Sequence, residues 1–374
     1  MDIARQTVSA WADCVTTSIL HSVGLTPEER NGTGELPAKR PPRWLFWGVP
    51  GAGKSSGVKQ ICKKLKEQTG KHWALSDQRL VQFDAVDFRG VPFVQGGTNP
   101  HNGVTYWATP SWLPNVERDG EFGLIFFDEI FLSQQSVQAA ALELTLDRKI
   151  GDTYRVPDGW YIVAASNRPE DRAGVLSQNA ALCNRFQHRE AVLSVDAWIE
   201  WAIEKELRPE VIAFIRFRGE NLLHEYTDGI PKGTVCYASP RTWHWVSNLL
   251  DENQSSENEA VSIEGLVGKG PAAEFVAFVN IWRKIGDIDL QEIIDDPENA
   301  PIPDDPAAQY AVAGHLGRKA TKENLAAFIT FLNRCSPEFA IKAVRDATQR
   351  DNDLKCSEAY LEFKRDFIDI NIAA

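Results

Sequence analysis

The sequence has no long apolar run. Its longest, Trp160–Ala165, is six residues, far short of the ~20 that a membrane-spanning helix needs. The chain opens Met1-Asp2-Ile3-Ala4-Arg5 with no basic stretch followed by an apolar core, so no secretory signal is expected and a cytoplasmic location is. Six cysteines, at positions 14, 62, 183, 236, 335 and 356, form no CxxC pair, and the seven histidines are scattered. That pattern fits reduced, mostly buried thiols rather than a disulfide framework or a zinc site. Internal repeats and low-complexity tracts are also missing. Positive charge is in deficit, with 40 Lys and Arg against 52 Asp and Glu and a formal charge of -12, which argues against a protein that coats nucleic acid by charge alone. What remains is a globular composition, 43% hydrophobic and 25% charged over 374 residues, long enough for two or three domains.

Apolar residues Ile3, Val8, Trp11, Val15, Ile19 and Leu20 mark approximately one face of a helix over residues 3–20, read as a docking helix. From His21 to Pro42 the chain is rich in Gly, Pro and charge, a connector. From Arg43 onward short apolar strands alternate with helical stretches. Strands are expected at Trp44–Trp47, near 80–86, at Leu124–Phe127, at Trp160–Ala165 and near Ala191–Val195, with helices near 54–67 and 134–146. This rhythm is that of an α/β fold with a buried parallel sheet. After about Val195 only helical signals continue, at 196–218, 240–251, 271–284, 307–317, 322–334, 337–349 and 357–369, with polar surface loops at Asp251–Glu259 and Asp295–Pro306. Three regions follow: 1–42, an N-terminal helix and connector; 43–195, an α/β core; and 196–374, a helical lid and C-terminal helical region.

The clearest chemical signal is Gly48-Val49-Pro50-Gly51-Ala52-Gly53-Lys54-Ser55, followed by Ser56. It satisfies G-x-x-x-x-G-K-[ST] directly after a strand and directly before a helix, the context in which glycines let backbone N–H groups face phosphate oxygens and the helix dipole adds positive potential. Lys54 would then reach the β- and γ-phosphates and Ser55 would ligate Mg²⁺. A second signal is Leu124-Ile125-Phe126-Phe127-Asp128-Glu129, a buried strand delivering two carboxylates to its C-terminal edge. Asp128 suits the Mg²⁺ shell and Glu129 the polarisation of an attacking water. The strand Trp160–Ala165 ends in Ser166-Asn167, where the amide could bond a γ-phosphate or water. As a bare motif Asn167 is equally a turn residue or a helix N-cap.

In this order and spacing the three motifs resemble an AAA+ ATPase, and further residues resemble its MoxR-like branch. Asp87-Phe88-Arg89-Gly90-Val91-Pro92 is similar to that branch's D-x-R-G-x-P element, and Trp112-Leu113-Pro114 to its W-L-P element. Asn184-Arg185-Phe186 resembles the N-R-F that carries an arginine finger, and Ser239-Pro240-Arg241 the S-P-R that supplies sensor 2. Asn333-Arg334, Pro337-Glu338-Phe339 and Val344-Arg345-Asp346 extend the likeness into the tail. The resemblance implies a P-loop AAA+ core with a helical lid, and ATP bound by Gly48, Val49, Pro50, Gly51, Ala52, Gly53, Lys54, Ser55 and Ser56. It implies Mg²⁺ at Ser55 and Asp128, Glu129 as catalytic base, Asn167 as sensor 1, Arg185 as a finger reaching a neighbouring subunit, and Arg241 closing over its own subunit's nucleotide. Arg189 competes for the finger role, Arg185 could instead be a surface ion-pair partner, and Arg241 a solvated arginine.

Two inserts stand where the resemblance places client-facing loops. They are Val91–Pro110, with Phe93, Tyr106 and Trp107 around Gln95-Gly96-Gly97-Thr98-Asn99-Pro100, and the hairpin-like turn Lys149–Tyr154. Local packing accounts for the aromatics equally well. The functional expectation is a ring-forming, hexameric ATPase that remodels or activates another protein, a hydrolase with a chaperone-like role. The branch's frequent partners carry a von Willebrand factor A (VWA) domain, and no D-x-S-x-S metal site occurs here, so such a partner is a separate chain. An NTP-driven motor on DNA, a P-loop small-molecule kinase and a nucleotide-gated scaffold are the alternatives. No N-K-x-D tetrad reads guanine.

Overall fold

The computed structural model describes residues 3–24, 39–95, 104–171, 178–252, 256–285, 290–303 and 306–366. In chain order the principal elements of the first half are β1 (Arg5–Thr7), α1 (Val8–Val23), β2 (Arg43–Trp47), α2 (Lys54–Thr69), β3 (Trp73–Arg79), β4 (Val91–Gln95), β5 (Val104–Ala108), β6 (Phe122–Asp128), α3 (Gln135–Asp147), β7 (Lys149–Ile150), β8 (Tyr154–Arg155), β9 (Gly159–Ser166) and β10 (Phe186–Val192). The second half is helical: α4 (Val195–Glu204), α5 (Pro209–Arg218), α6 (Pro240–Leu250), α7 (Ser256–Val267), α8 (Lys269–Ile285), α9 (Leu290–Asp295), α10 (Pro306–Lys319), α11 (Leu325–Asn333), α12 (Pro337–Arg350) and α13 (Glu358–Asp366). The chain divides into two compact units. One is Met1–Trp198 with His224–Val235 and Ser239–Arg241; the other is Ile199–Leu223 with Cys236–Ala238 and Thr242–Ala374.

The first unit is the α/β fold that the alternation of strands and helices predicts. Its sheet among the described residues has six strands, all parallel, in the order β1-β10-β2-β9-β6-β3. The apolar runs RWLFW, FGLIFFD and GWYIVAAS fall on the interior strands β2, β6 and β9, where both faces are covered. Period-two alternation divides these runs between two cores. On one face Leu45, Trp47, Ile125, Phe127, Ile162 and Ala164 pack with Val137, Ala141 and Leu144 of α3. On the other Trp44, Phe46, Leu124, Phe126, Val163 and Ala165 pack with Trp11, Val15 and Ile19 of α1 and Val58, Ile61 and Leu65 of α2.

The N-terminal segment is more closely tied to the core than a docking helix with a connector. Residues 5–7 form an edge strand paired in parallel with β10, and the helix starts only at Val8, capped by the Thr7 hydroxyl accepting from the Ala10 N–H at 3.3 Å. Trp11 is 1% exposed and stacks on Phe46 with ring centroids 4.2 Å apart. Residues 25–38 of the expected connector lie outside the described residues. Two other expectations shift. The strand near 80–86 is instead β3, whose polar Ser76, Asp77 and Gln78 conceal it, because an edge strand is buried on one side only. The strand near 191–195 begins earlier, at Phe186, and Val195 already opens α4.

The insert Val91–Pro110 contains the antiparallel pair β4–β5, in which Phe93 and Tyr106 stack on each other at 5.9 Å while remaining 49% and 44% exposed. Residues 96–103, including the Gly-rich turn, lie outside the described residues. Lys149–Tyr154 is a hairpin, β7 against β8. The Tyr154 hydroxyl donates to the Pro114 carbonyl at 2.9 Å. The D-x-R-G-x-P and W-L-P elements meet each other: Trp112 Nε1 donates to the Asp87 carbonyl at 3.0 Å, and Phe83, Phe88 and Trp112 form an edge-to-face cluster.

The second unit is helical, as the loss of strand signals after Val195 predicts. Phe214, Trp243, Phe275 and Phe278 interlock at centroid distances of 5.1–5.4 Å. Helix α7 begins at Ser256, inside the polar loop expected over Asp251–Glu259, and its apolar face is carried only by scattered residues such as Ile263 and Val267. The tail motifs are structural: Arg334 donates to the Pro297 and Ala300 carbonyls at 2.8 and 2.9 Å, Pro337 starts α12, and Asp346 pairs with Arg216. No helix among the described residues is long and apolar enough to cross a membrane.

Trp11→Ala should cost about 3–5 kcal/mol, the range for removing a buried aromatic, read as a lower urea midpoint. A change under about 1 kcal/mol would show that α1 is not part of the core.

Candidate functional site

The glycine-rich loop leaves the C-terminal end of β2, the acidic pair that of β6 and Asn167 that of β9. Strands β2, β9 and β6 are adjacent in the sheet, so the three motifs converge at one sheet edge, where open α/β sheets bind ligands. The loop turns twice through the left-handed region, at Gly51 and Gly53, both with φ of 85°, a conformation that a side chain resists. A Cβ at Gly51 would also stand 3.1 Å from the Ser239 hydroxyl. Gly48 is tied to the end of β9 by its N–H donating to the Ser166 carbonyl at 3.3 Å.

Lys54, the first residue of α2, is buried. Its ammonium donates to the carbonyls of Gly48 at 2.7 Å and Val49 at 3.0 Å and to Asn167 Oδ1 at 2.8 Å. An ammonium has three N–H donors, and these three oxygens are all neutral. Burial pushes the pKa of Lys54 down to about 8, with Asp128 opposing and Arg241 adding to the fall. A buried cation bonded to neutral oxygens is a site an anion fits, since desolvating a charge costs several kcal/mol unless an opposite charge offsets it.

Beside it, the Ser55 hydroxyl donates to Asp128 Oδ2 at 2.8 Å, and Asp128 Oδ1 accepts from the Glu129 N–H at 3.0 Å. A hydroxyl and a carboxylate oxygen are the hard donors Mg²⁺ prefers, and one carboxylate plus substrate phosphates is its usual complement. Among the described residues no cluster of three or more His, Cys, Asp or Glu side chains forms a metal cage, so these two residues would hold Mg²⁺ only together with phosphate oxygens. Glu129 has φ 56° and ψ 36°, a left-handed conformation that costs a non-glycine residue about 1–2 kcal/mol. Such strain is retained at functional positions.

The remaining candidates separate. Arg241 is the second residue of α6 and is exposed, its Cβ 3.7 Å from where a Cβ on Gly51 would stand, so it lies against its own loop. Arg185 does not. Its guanidinium donates to the Leu142 carbonyl of α3, and its neighbour Phe186 pairs with Arg43, the first residue of β2. The loop leaves the far end of β2, and four residue steps of about 3.3 Å set those ends roughly 13 Å apart. Arg189, the competitor for that role, sits within β10 opposite Phe46 and donates to the His188 carbonyl. Ser56 is exposed on α2.

The sequence reading missed several groups. Asp77 on β3 has a carboxyl raised by burial and then by the neighbouring charge of Asp128. Arg168, Asp171, Glu190 and His224 are buried around Asn167 and the loop. The carboxylate three residues after Arg168 was a local signal; the contacts of Glu190 and His224 span the chain and left none.

In sequence the chain matches no known protein family and no curated protein. Its likenesses to solved structures are weak. A candidate ATPase of Cytophaga hutchinsonii is 15% identical over 91% of this chain and 87% of its own, with a TM-score of 0.31. NtrX of Brucella abortus in complex with ATP is 12% identical over 99% of this chain and 70% of its own, with a TM-score of 0.36. Hsp104 with ATPγS and casein is 15% identical over 52% of this chain and 35% of its own, with a TM-score of 0.35. Likenesses of this size add nothing to the reading of the site, which rests on its own geometry.

Glu129→Gly should stabilise the fold by about 1 kcal/mol, since glycine adopts the left-handed conformation without strain. Urea unfolding checks this, and a loss of similar size would show that Glu129 makes contacts outweighing its strain.

Proposed function

We propose that the chain is a ring-forming ATPase of the AAA+ class and MoxR-like kind, coupling Mg²⁺-ATP hydrolysis to the remodelling or activation of a separate protein in the cytoplasm. The observation that carries the reading is the buried Lys54 ammonium bonded to two loop carbonyls and Asn167, beside the Ser55–Asp128 pair and a strained Glu129. Cation, hydroxyl, carboxylates and amide are the groups phosphoryl transfer uses, and they lie at one sheet edge.

Each residue then has one task. Lys54 exchanges its neutral oxygens for β- and γ-phosphate oxygens, which frees the Asn167 amide to orient the γ-phosphate or the attacking water. Ser55 and Asp128 would hold Mg²⁺, which would supply positive charge against the phosphate oxygens. Glu129 accepts a proton from the water as the water oxygen bonds to the γ-phosphorus and the bond to the ADP oxygen breaks, giving ADP and phosphate. Arg241 contributes charge from within the same chain.

Arg185 is assigned to a neighbouring subunit's site. Its place at the opposite end of β2 from the loop supports this, since its own phosphates would be out of reach. A finger in trans requires a ring or stack, and six subunits follow the family resemblance. The half-exposed Phe93 and Tyr106 of the β4–β5 ribbon suit contact with a client, and a VWA-domain protein is the partner type that the resemblance suggests.

Lys54→Ala should abolish ATP binding, whereas Glu129→Gln should keep it and lose turnover by at least about a hundredfold. Equilibrium binding of a fluorescent ATP analogue and phosphate release check the pair. Turnover by the Glu129→Gln protein at the wild-type rate would remove Glu129 as the base.

A further inference from the structure

The residue after Asn167 is a buried arginine bonded to three other residues. Arg168 Nη1 donates to Glu190 Oε1 at 2.8 Å, Nη2 to Asp171 Oδ1 at 2.7 Å and to the Thr227 carbonyl at 2.6 Å, and Nε to both Asp171 oxygens at 3.1 and 3.2 Å. Its backbone N–H also donates to Asp171 Oδ2 at 2.9 Å, which fixes the turn that presents Asn167. Burial alone disfavours its charge; the hydrogen bonds and charges of Asp171 and Glu190 more than offset this, and the group is held more firmly protonated than an ordinary arginine. Glu190 takes a further bond from Arg5 Nε at 3.3 Å, so β1 is joined to the same network.

Thr227 lies three residues beyond His224, within the stretch His224–Val235 that counts with the first unit although helical-unit segments flank it in sequence. His224 is 1% exposed. Its Nδ1 accepts from the Tyr226 N–H at 3.2 Å, so in the neutral ring the proton is on Nε2, which donates to the Pro50 carbonyl in the glycine-rich loop at 3.2 Å. Burial lowers the imidazole pKa and keeps the ring in this neutral form. The contacts close a circuit: loop carbonyls to Lys54, Lys54 to Asn167, Asn167 along the chain to Arg168, Arg168 to Thr227, and Thr227 through His224 back to Pro50.

We infer that Arg168 and His224 are positioning residues that brace the phosphate loop, Arg168 by fixing Asn167 and the 224–235 stretch, and His224 by holding the Pro50 carbonyl. The consequence for catalysis rests on the nucleotide reading above; the brace itself belongs to the nucleotide-free chain. A displacement of the 224–235 stretch would reach both Asn167 and Pro50, so any event that moves this stretch is transmitted to the groups that contact phosphate.

The test uses full-length protein with Arg168→Lys, His224→Ala, His224→Gln and the Arg168→Lys/His224→Ala double variant. Arg168→Lys keeps a cation between Asp171 and Glu190, so the fold survives, but it loses the planar fork that reaches Thr227. His224→Gln keeps an N–H donor near the Nε2 position. Without nucleotide, amide hydrogen exchange in the peptide spanning residues 48–54 should rise about tenfold in Arg168→Lys and in His224→Ala, the scale of one lost hydrogen bond. His224→Gln should restore protection, and the double variant should exchange no faster than about twice either single one, because both changes open the same circuit. With ATP, Arg168→Lys should lower kcat about tenfold with KM changed less than about threefold, whereas His224→Ala should chiefly raise KM. Unchanged exchange at 48–54 in both single variants, or effects that multiply in the double variant, would overturn the brace. If the wild-type protein bound no ATP the functional reading would fail, and the exchange data would still decide the brace.

Discussion

The site depends on one buried ammonium. Lys54 has three donors and three neutral acceptors, so its hydrogen bonding is complete while its charge is not neutralised by direct contact. Its lowered pKa expresses that imbalance. A drop from 10.5 to about 8 corresponds to a cost on the order of 3 kcal/mol. The cost weighs on the folded state at pH below about 8 and is relieved as pH rises from there toward the ordinary lysine value. A fold that tolerates this gains by binding a polyanion at the same point, because the new partners supply the missing charge without rebuilding the site. The two left-handed glycines shape the loop whose carbonyls bond the ammonium, and the buried network behind Asn167 holds its third acceptor.

The supporting frame explains why that placement is stable. Strands β2, β9 and β6 are sheathed on both faces, so the points at which the loop, the amide and the carboxylates leave the sheet are set by packed aromatic and aliphatic side chains rather than by loop contacts. The N-terminal strand and helix extend this frame. Trp11 covers Phe46 of β2, and Arg5 bonds Glu190, which in turn holds Arg168. Edge strand and site are thus linked through one carboxylate.

Much of this was legible in the sequence because it is local. The loop, the apolar strand ending in Asp128-Glu129 and the strand ending in Asn167 are continuous stretches whose chemistry follows from residue type and order, and the α/β rhythm follows from periodicity. What escaped has physical reasons. Three residues, Arg5–Thr7, are too few and too polar to show as a strand. The edge strand β3 is only partly buried, so Ser76, Asp77 and Gln78 hide it and the strand is expected later, near 80–86. The first turn of α7 carries Glu257 and Glu259 and reads as the end of a polar loop. The Arg168–Glu190 and His224–Pro50 bonds join residues that only the folded chain brings together. Arg185 was legible as part of a motif, yet its separation from its own loop appears only when β10 is aligned on β2.

The central claim is that ATP is hydrolysed at a site completed by two chains. Its most direct test is phosphate release from Mg²⁺-ATP by a mixture of Arg185→Ala and Lys54→Ala proteins, with exchange between them confirmed by co-purification of differently tagged chains. Each protein should be inactive alone. Mixed, some interfaces join an intact Lys54 site to an intact Arg185 from the neighbour, so release should return to about a quarter of the wild-type rate if subunits mix at random and each interface acts alone. A mixture that exchanges subunits yet releases no more phosphate than its two components would contradict the shared site.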